Sequence, residues 1–485
     1  MVQPLNKKYR RTTLITLSCV AFLLGLGLGR TAGVTMAHLW VGLIFCVVTL
    51  PRMRLPALVA VMLLGFSLGS FRGSTFDAQL TTYENLFGEN ITIVATASSD
   101  AVYSAGGQLE FDADTIEINF EDMKVTPPGT IKVQGYGAPS VARGDRVALA
   151  GKLFPTGGSR QARMSYAQIS VVRENTGAID NIRRRFVAGM FNAVPEPEAS
   201  FGLGLLIGQR TTLPDSLEKQ LSVAGLTHII AVSGYNLTII VRMVRRALGK
   251  RSKYQSTLIA FVLIGFFVLV TGFSASIVRA AVVSTLSLLA WYYGRNIKPL
   301  LLLAFAAAVT AAWNPVYIWS DIGWYLSFLA FFGVLIIAPL LKQRLYGDKE
   351  QKLLGQVVLE SVCAQIMAAP LILYIFGEVS LIALVSNAII VPLVPLAMLF
   401  SLFAGLAGMF IPVISGFIAL PATILLTYML DLVAVFARIP GALLETTITL
   451  NDTLYVYGVI VVFTVILRQV LKRKYVRITD RNIIE

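Results

Sequence analysis

The segment Gly225 to Thr238, GLTHIIAVSGYNLT, sets His228, Ser233, Gly234, Tyr235 and Asn236 within an apolar run. An imidazole, a hydroxyl, an amide and a conformationally free glycine at membrane depth are tolerated where the backbone is buried in protein or lines a cavity. That pattern points to a polar path or a broken helix. A purely structural reading stands beside it, since His228 can bond a neighbouring helix. Intramembrane serine proteolysis is disfavoured: AVSG lacks the first glycine of GxSG. Ser233 also lies about 140° around an ideal helix of 3.6 residues per turn from His228.

Four charges fall in other apolar runs: Arg279, Asp321, Glu360 and Asp431. A charge at mid-membrane costs about 2.5 to 3.5 kcal/mol on insertion scales, so such residues face a bundle interior or a water-filled path. Arg279 and Asp321 lie near the outer ends of their runs, where snorkelling is an equal reading. Glu360 sits further inside, with Gln356 and Met367 on its helical face and Pro370 beyond, which favours a functional role.

These residues need a membrane to position them, and composition supplies one. Of 485 residues, 56% are apolar and 14% charged, with a mean hydropathy of +0.72. A soluble enzyme, a disordered chain and a coiled coil are excluded as the whole account. Runs of about 20 apolar residues predict three spanning helices at 12–29, 32–50 and 55–71. Nine more are predicted at 226–247, 254–272, 276–293, 298–313, 320–341, 355–375, 380–408, 411–437 and 454–471, the run at 380–408 being broken by Pro392 and Pro395. The expected fold class is therefore a polytopic α-helical membrane protein of about twelve helices. Basic clusters at Lys7 to Arg11, Arg242 to Lys253, Lys342 to Lys352 and Arg468 to Arg481 all fall on one side with this parity. By the positive-inside rule that side is the cytoplasm, with both termini in it. The first run is expected to be a retained anchor rather than a signal peptide.

Most of the net charge of +14 is topogenic, because residues 72–198 hold 12 Lys and Arg against 15 Asp and Glu. From about Asn90 to Val172 the pattern becomes alternating strands: ITIVAT, QLEFDAD, TIEINF, TIKVQGYG, DRVALAGKLF and SYAQISVV. A small extracytoplasmic barrel of the OB type is expected over 72–177. Tyr103, Tyr136 and Tyr166 either fill its core or stack bases; the segment's acidity favours the core. Residues 178–224 are expected to form interfacial amphipathic helices, with Arg183, Arg184 and Arg185 opposing Ile182, Phe186 and Met190 as contacts for lipid or DNA. The helical bundle would then occupy 225–475 and a cytoplasmic tail 476–485. No metal or cofactor is expected, and the chain has no GxxxxGK[ST] phosphate loop.

Several ordered segments resemble the ComEC family of competence proteins. GLTHIIAVSGYNLT is similar to the family's Gly-Leu-x-His-(apolar)-Ala-x-Ser-Gly segment, SASIVRAAVV to its Ser-x-x-Arg-Ala block, and SDIGWYLSFLAFFGVL to its Asp-x-Gly-(aromatic)-x-Leu-Ser block. VSNAIIVPLVP, preceded by AAPLILYIFGEVS, is similar to its Asn-x-x-x-x-Pro element, and GDRVALAGKLF to the closing strands of its OB-like domain. This chain reads SGYN where the family reads SGLH, so Asn236 stands in place of a histidine.

The resemblance implies a non-enzymatic channel in the cell membrane that passes single-stranded DNA into the cytoplasm during natural transformation. His228, Ser233, Gly234, Asn236, Arg279, Asp321, Ser327, Glu360 and Asn387 are then the candidates for its lining or support. Arg279 is the natural phosphate contact, because a guanidinium engages phosphate bidentately. No HxHxDH motif of the metallo-β-lactamase-like nuclease found in many members occurs, so a separate nuclease is implied. A cytoplasmic ATPase or helicase and an outer-face DNA receptor are the other implied partners. The alternative from the residues alone is a secondary transporter of a small polar or anionic solute, which also uses broken helices and intramembrane acids. A scaffold for other membrane proteins is a third reading.

Overall fold

The computed structural model describes residues 9–31, 43–44, 49, 55–103, 107–120, 123–138, 140–158, 160–209, 213–230, 252–272, 275–294, 298–347 and 353–481. Among these, seven helices are long and apolar enough to cross a membrane: Leu55–Glu84, Lys253–Thr271, Ile322–Leu345, Gly355–Phe376, Ala383–Phe410, Pro412–Ala437 and Leu450–Leu471. Four shorter apolar helices, Arg11–Gly27, Glu198–Ile207, Ile277–Tyr292 and Pro299–Trp313, accompany them. The expected count of twelve is not reached. The runs predicted at 32–50 and 226–247 fall wholly or largely outside the described residues, and three other predicted runs form helices of 15 to 18 residues, short of a full span. The helix predicted at 380–408 forms despite its prolines, with a 3-10 turn at Val391–Leu393 absorbing Pro392.

The chain divides into two units, Met1–Val187 with Ile240–Trp324, and Ala188–Ile239 with Tyr325–Glu485. In the first, helix Arg11–Gly27 lies along helix Leu55–Glu84 through facing glycines. A Cβ at Gly69 would stand 2.0 Å from the Phe22 carbonyl oxygen, and one at Gly25 2.0 Å from that of Phe66. Glycines four residues apart share one helix face and let backbones touch. Arg72 donates to the carbonyls of Ala312 (3.1 Å) and Trp313 (3.3 Å), a cation at a helix C-terminus where the dipole favours it.

Helix Leu55–Glu84 does not stop at 71 as its apolar run suggests; it continues to the barrel, where Tyr83 joins the core. The strands are β1 (Asn90–Ala97), β2 (Val102–Tyr103), β3 (Leu109–Phe120), β4 (Met123–Val125), β5 (Ile131–Tyr136), β6 (Arg146–Phe154) and β7 (Ala162–Arg173). Pairings β1–β3, β3–β5, β5–β7, β7–β6 and β6–β1 close a five-stranded ring, with β2 and β4 appended to β3. Only β5–β7 is parallel within it. In ring numbering the order is first, second, third, fifth, fourth, the closed Greek-key arrangement of an OB-like barrel. The two expected strands QLEFDAD and TIEINF are one strand, bent at Thr115 (φ 49°), where the β1 register slips between Val94 and Thr96. The barrel core is mainly aliphatic, with Ile93, Ile118, Ile131, Leu149 and Met164 wholly buried beside Tyr83 and Phe111. The three tyrosines are outside it: Tyr103 is 62%, Tyr136 50% and Tyr166 78% exposed, so they do not fill the core as the sequence favoured.

In the second unit, Glu198–Ile207 is buried on every side rather than two-faced, because its apolar residues run all round the helix. A π-helical turn at Gly333–Ile337 lets helix Leu353–Phe376 pack closely, a Cβ at Gly333 being 2.3 Å from the Cys363 carbonyl oxygen. A two-stranded sheet, β8 (Glu378–Ser380) with β9 (Leu443–Glu445), ties together two loops of this unit.

Candidate functional site

In the first unit the candidate residues meet where the barrel rests on the helices. Arg279, on the apolar helix Ala275–Tyr292, is 2% exposed, and both Asp321 and Tyr317 lie within its electrostatic reach. Snorkelling is overturned, because a guanidinium this deeply covered has no outlet to an interface. Asp321 also feels Arg160 of the barrel loop Pro155–Gln161. Arg160 is itself held in a two-pronged pair by Asp112, at 2.5 and 2.8 Å, and that bonding is the leading reason its basicity exceeds that of a free arginine. In the same loop the Gly158 carbonyl accepts from the Ser320 hydroxyl. Membrane helix, connecting turn and barrel loop thus converge on Asp321, which lies within electrostatic reach of two cations, one of them buried.

A second polar junction joins the barrel's other end to the start of helix Ala178–Ala193. Asp100 accepts from the Arg143 backbone N–H (3.0 Å) and pairs with Arg183 (2.7 Å). Arg143 caps helix Lys253–Thr271 by donating to the carbonyls of Leu269 (2.8 Å) and Val270 (3.0 Å), and lies 3.8 Å from Asp180. Burial holds Arg143 below its ordinary basicity, helped by the like charge of Arg183 and opposed by Asp180, Asp100 and Asp114.

The three arginines expected as interfacial contacts therefore part company. Arg183 is 9% exposed and committed to Asp100, and Arg184 donates to the Asn175 carbonyl (2.5 Å) and Asn181 Oδ1 (2.7 Å). Arg185 alone of them is exposed. The amphipathic period was real, but its polar side faces the barrel's charges. Arg183→Ala is expected to lower the folding stability of the detergent-solubilised protein by about 3 kcal/mol, the usual cost of stranding one partner of a largely buried pair. Asp100→Ala should cost a similar amount, and the double variant clearly less than the two together, measured as a double-mutant cycle on thermal melts. Strictly additive losses would show that the pair carries no coupling.

In the second unit the structure brings together two segments that the sequence singled out separately. Gly225 adopts φ 69°, and a Cβ there would be 2.3 Å from that of Ala383. The Ser380 hydroxyl donates to the Val223 carbonyl (2.6 Å) and the Ser386 hydroxyl to that of Ala224 (2.6 Å). The two serines take up carbonyls at the C-terminus of helix Asp215–Val223, a place where backbone acceptors lack helical partners. Asn387 is buried next in sequence, its Oδ1 carrying no hydrogen bond among the described residues. His228 is exposed at the following turn, Thr227–Ile230. Ser233, Gly234 and Asn236 lie outside the described residues. Ser327 is half-buried on helix Ile322–Phe332, and Glu360 half-buried on Leu353–Phe376, where Gln356 Nε2 donates to it at 2.7 Å.

Sequence reasoning missed Ser380, Ser386, Arg143 and Arg160. Ser386 had a signal, standing beside Asn387 in VSNAIIVP; the others had none, since their partners lie far along the chain. Among the described residues no group of three or more His, Cys, Asp or Glu is placed to hold a metal.

A multi-pass membrane protein with an OB-like barrel and with polar residues gathered at helix junctions is the class these features define. Residues 205–471, more than half of the chain, match the Competence protein family, and the chain belongs to it. Over 217 residues it is 22% identical to ComE operon protein 3 of Bacillus subtilis (strain 168), a stretch covering 44% of this chain and 27% of that protein. No solved structure matches the chain.

Proposed function

We propose that this protein takes part in DNA uptake as the membrane path through which one DNA strand reaches the cytoplasm. The observation that carries the reading is that the competence family match falls on the helical region, residues 205–471, rather than on the barrel. A path for a phosphodiester needs buried cations, because phosphate charge dominates nucleic-acid affinity. Arg279 supplies one, with Asp321 moderating its charge. The junction of Gly225, Ser380, Ser386 and Asn387 supports the reading in another way: it keeps uncharged hydrogen-bonding groups at a point where polar backbone is exposed by a helix end. His228, Ser233, Gly234, Asn236, Ser327 and Glu360 complete the proposed lining or its support.

The protein performs no bond-breaking step in this scheme. A cytoplasmic ATPase or helicase pulls the strand, a receptor delivers DNA at the outer face, and a separate nuclease removes the complementary strand. Both termini are cytoplasmic. The rival reading, a carrier for a small anionic solute, draws support from the 3-10 break at Val391–Leu393 inside a membrane helix.

The deciding experiment follows labelled DNA in cells. Deleting the gene is expected to abolish nuclease-protected label in the cytoplasm, and reintroducing the wild-type gene to restore it. Undiminished label in the deletion strain would remove the DNA reading and favour the solute carrier.

A further inference from the structure

The barrel's negative charge is not spread over it. Glu110 and Asp112 stand on β3 and are neutralised there by Lys132 and Arg160. Burial works against the Glu110 carboxylate, but bonds from Lys132 and Gln134 outweigh it and hold the group below the ordinary carboxylate range. The β3–β5 side, the one OB-like barrels ordinarily offer to oligonucleotides, is therefore filled with its own ion pairs. Around the ring the chemistry reverses. Among the described residues the exposed positions of β1, β6 and β7 carry no carboxylate side chain. Glu117 of β3 is bonded to Arg146 at 2.8 Å, and Glu89 and Glu174 lie just outside the ends of β1 and β7.

On this second side Lys152 of β6 pairs in register with Ser165 of β7, and Phe154 with Arg163, so Lys152 and Arg163 are diagonal neighbours on one face. Arg163 lies over the Phe154 ring at 5.8 Å. Beside them Tyr166 projects from a bulge in the β6–β7 register, between Ala150 and Lys152, with φ 55° and 78% of its surface exposed. A bulky residue in the left-handed region is an uncommon and costly choice where glycine or asparagine would fit. Here the strained backbone leaves an aromatic ring exposed on the strand pair that carries the two cations.

We propose that the outer face of β1, β6 and β7, centred on Tyr166 with Lys152 and Arg163, is the surface on which the barrel holds single-stranded nucleic acid. The ring stacks on a base and the two cations meet phosphates, the combination by which strands are bound without regard to sequence. The inference rests on the proposed role in DNA uptake and assigns that role a surface.

The test uses the full chain in zwitterionic nanodiscs and a fluorescent oligothymidylate, with binding read by anisotropy. Tyr166→Asn removes the ring while suiting the left-handed backbone, and is expected to weaken binding about tenfold. Tyr166→Trp should retain it. Lys152→Gln with Arg163→Gln should reduce the slope of log K against log salt by about 1.4, two phosphates' worth for a single strand. Tyr103→Ala, on β2 beyond β3 and away from β7, should change nothing. Wild-type affinity in Tyr166→Asn, loss in Tyr103→Ala, or no binding by the wild type would each overturn the assignment. The uptake measurement in the deletion strain separates the two claims: lost uptake without barrel binding leaves the path and removes this face, and persistent uptake removes the path whatever the barrel binds.

Discussion

Arg279→Ala is expected to cut DNA uptake by two orders of magnitude or more while the protein still reaches the membrane. A two-pronged, charge-assisted contact between a buried guanidinium and phosphate is worth about 3 kcal/mol, and each 1.4 kcal/mol is tenfold in an equilibrium. The difficulty is that Asp321, left beside an empty pocket, could lower the protein's stability and mimic a transport defect. Asp321→Ala in the same chain resolves it. Relieving the stranded carboxylate should bring melting temperature and membrane level back towards wild type, yet uptake should stay lost if the guanidinium meets phosphate. Arg279→Lys should give intermediate uptake, since an ammonium keeps the charge and loses the two-pronged geometry. Recovery of uptake in the Arg279→Ala, Asp321→Ala double variant would assign both residues to packing alone.

That pair also shows what a sequence discloses. An arginine and an aspartate in apolar runs stand out by type, and each was a candidate on that ground alone. The second cation near Asp321, Arg160, was invisible, because it comes from a barrel loop and nothing local marks it. The same limit explains Arg183. Its 3.6-residue pattern correctly announced a two-faced helix, but periodicity reports that a polar face exists and not what covers it, and Asp100 covers it here. In the barrel, alternation located every ring strand, whereas the bend at Thr115 looked like a break because a residue with φ 49° interrupts the pattern without ending the pairing. The tyrosines misled for a related reason. Acidity summed over residues 72–198 hid the segregation of carboxylates to one side, which becomes legible only once register assigns each strand position a face.

Gly69→Ala is expected to destabilise the protein by roughly 3 kcal/mol, at the upper end for overpacking, even though alanine is the better helix former. The added carbon would lie 2.0 Å from the Phe22 carbonyl oxygen and 2.8 Å from the Leu26 nitrogen, both backbone atoms that no rotamer change can move aside. Helices Arg11–Gly27 and Leu55–Glu84 would have to separate, breaking the contacts at Gly25 and Gly65 as well, where the built carbons stand 2.0 and 2.5 Å from facing carbonyl oxygens. Gly265→Ala is the control: nothing lies within 4 Å of that position, so the helix preference acts alone and stability should hold or rise slightly. Thermal melts of the two variants in one detergent make the comparison, and equal melting temperatures would show that the glycine contact is slack. The strain should not stay local. Helix Leu55–Glu84 carries Arg72 onto the carbonyls of Ala312 and Trp313 and ends with Tyr83 in the barrel core. Hydrogen exchange in the Gly69→Ala protein is therefore expected to quicken at β1 and β3 as well as in the first helix, since the barrel's footing moves with the helix that bears it.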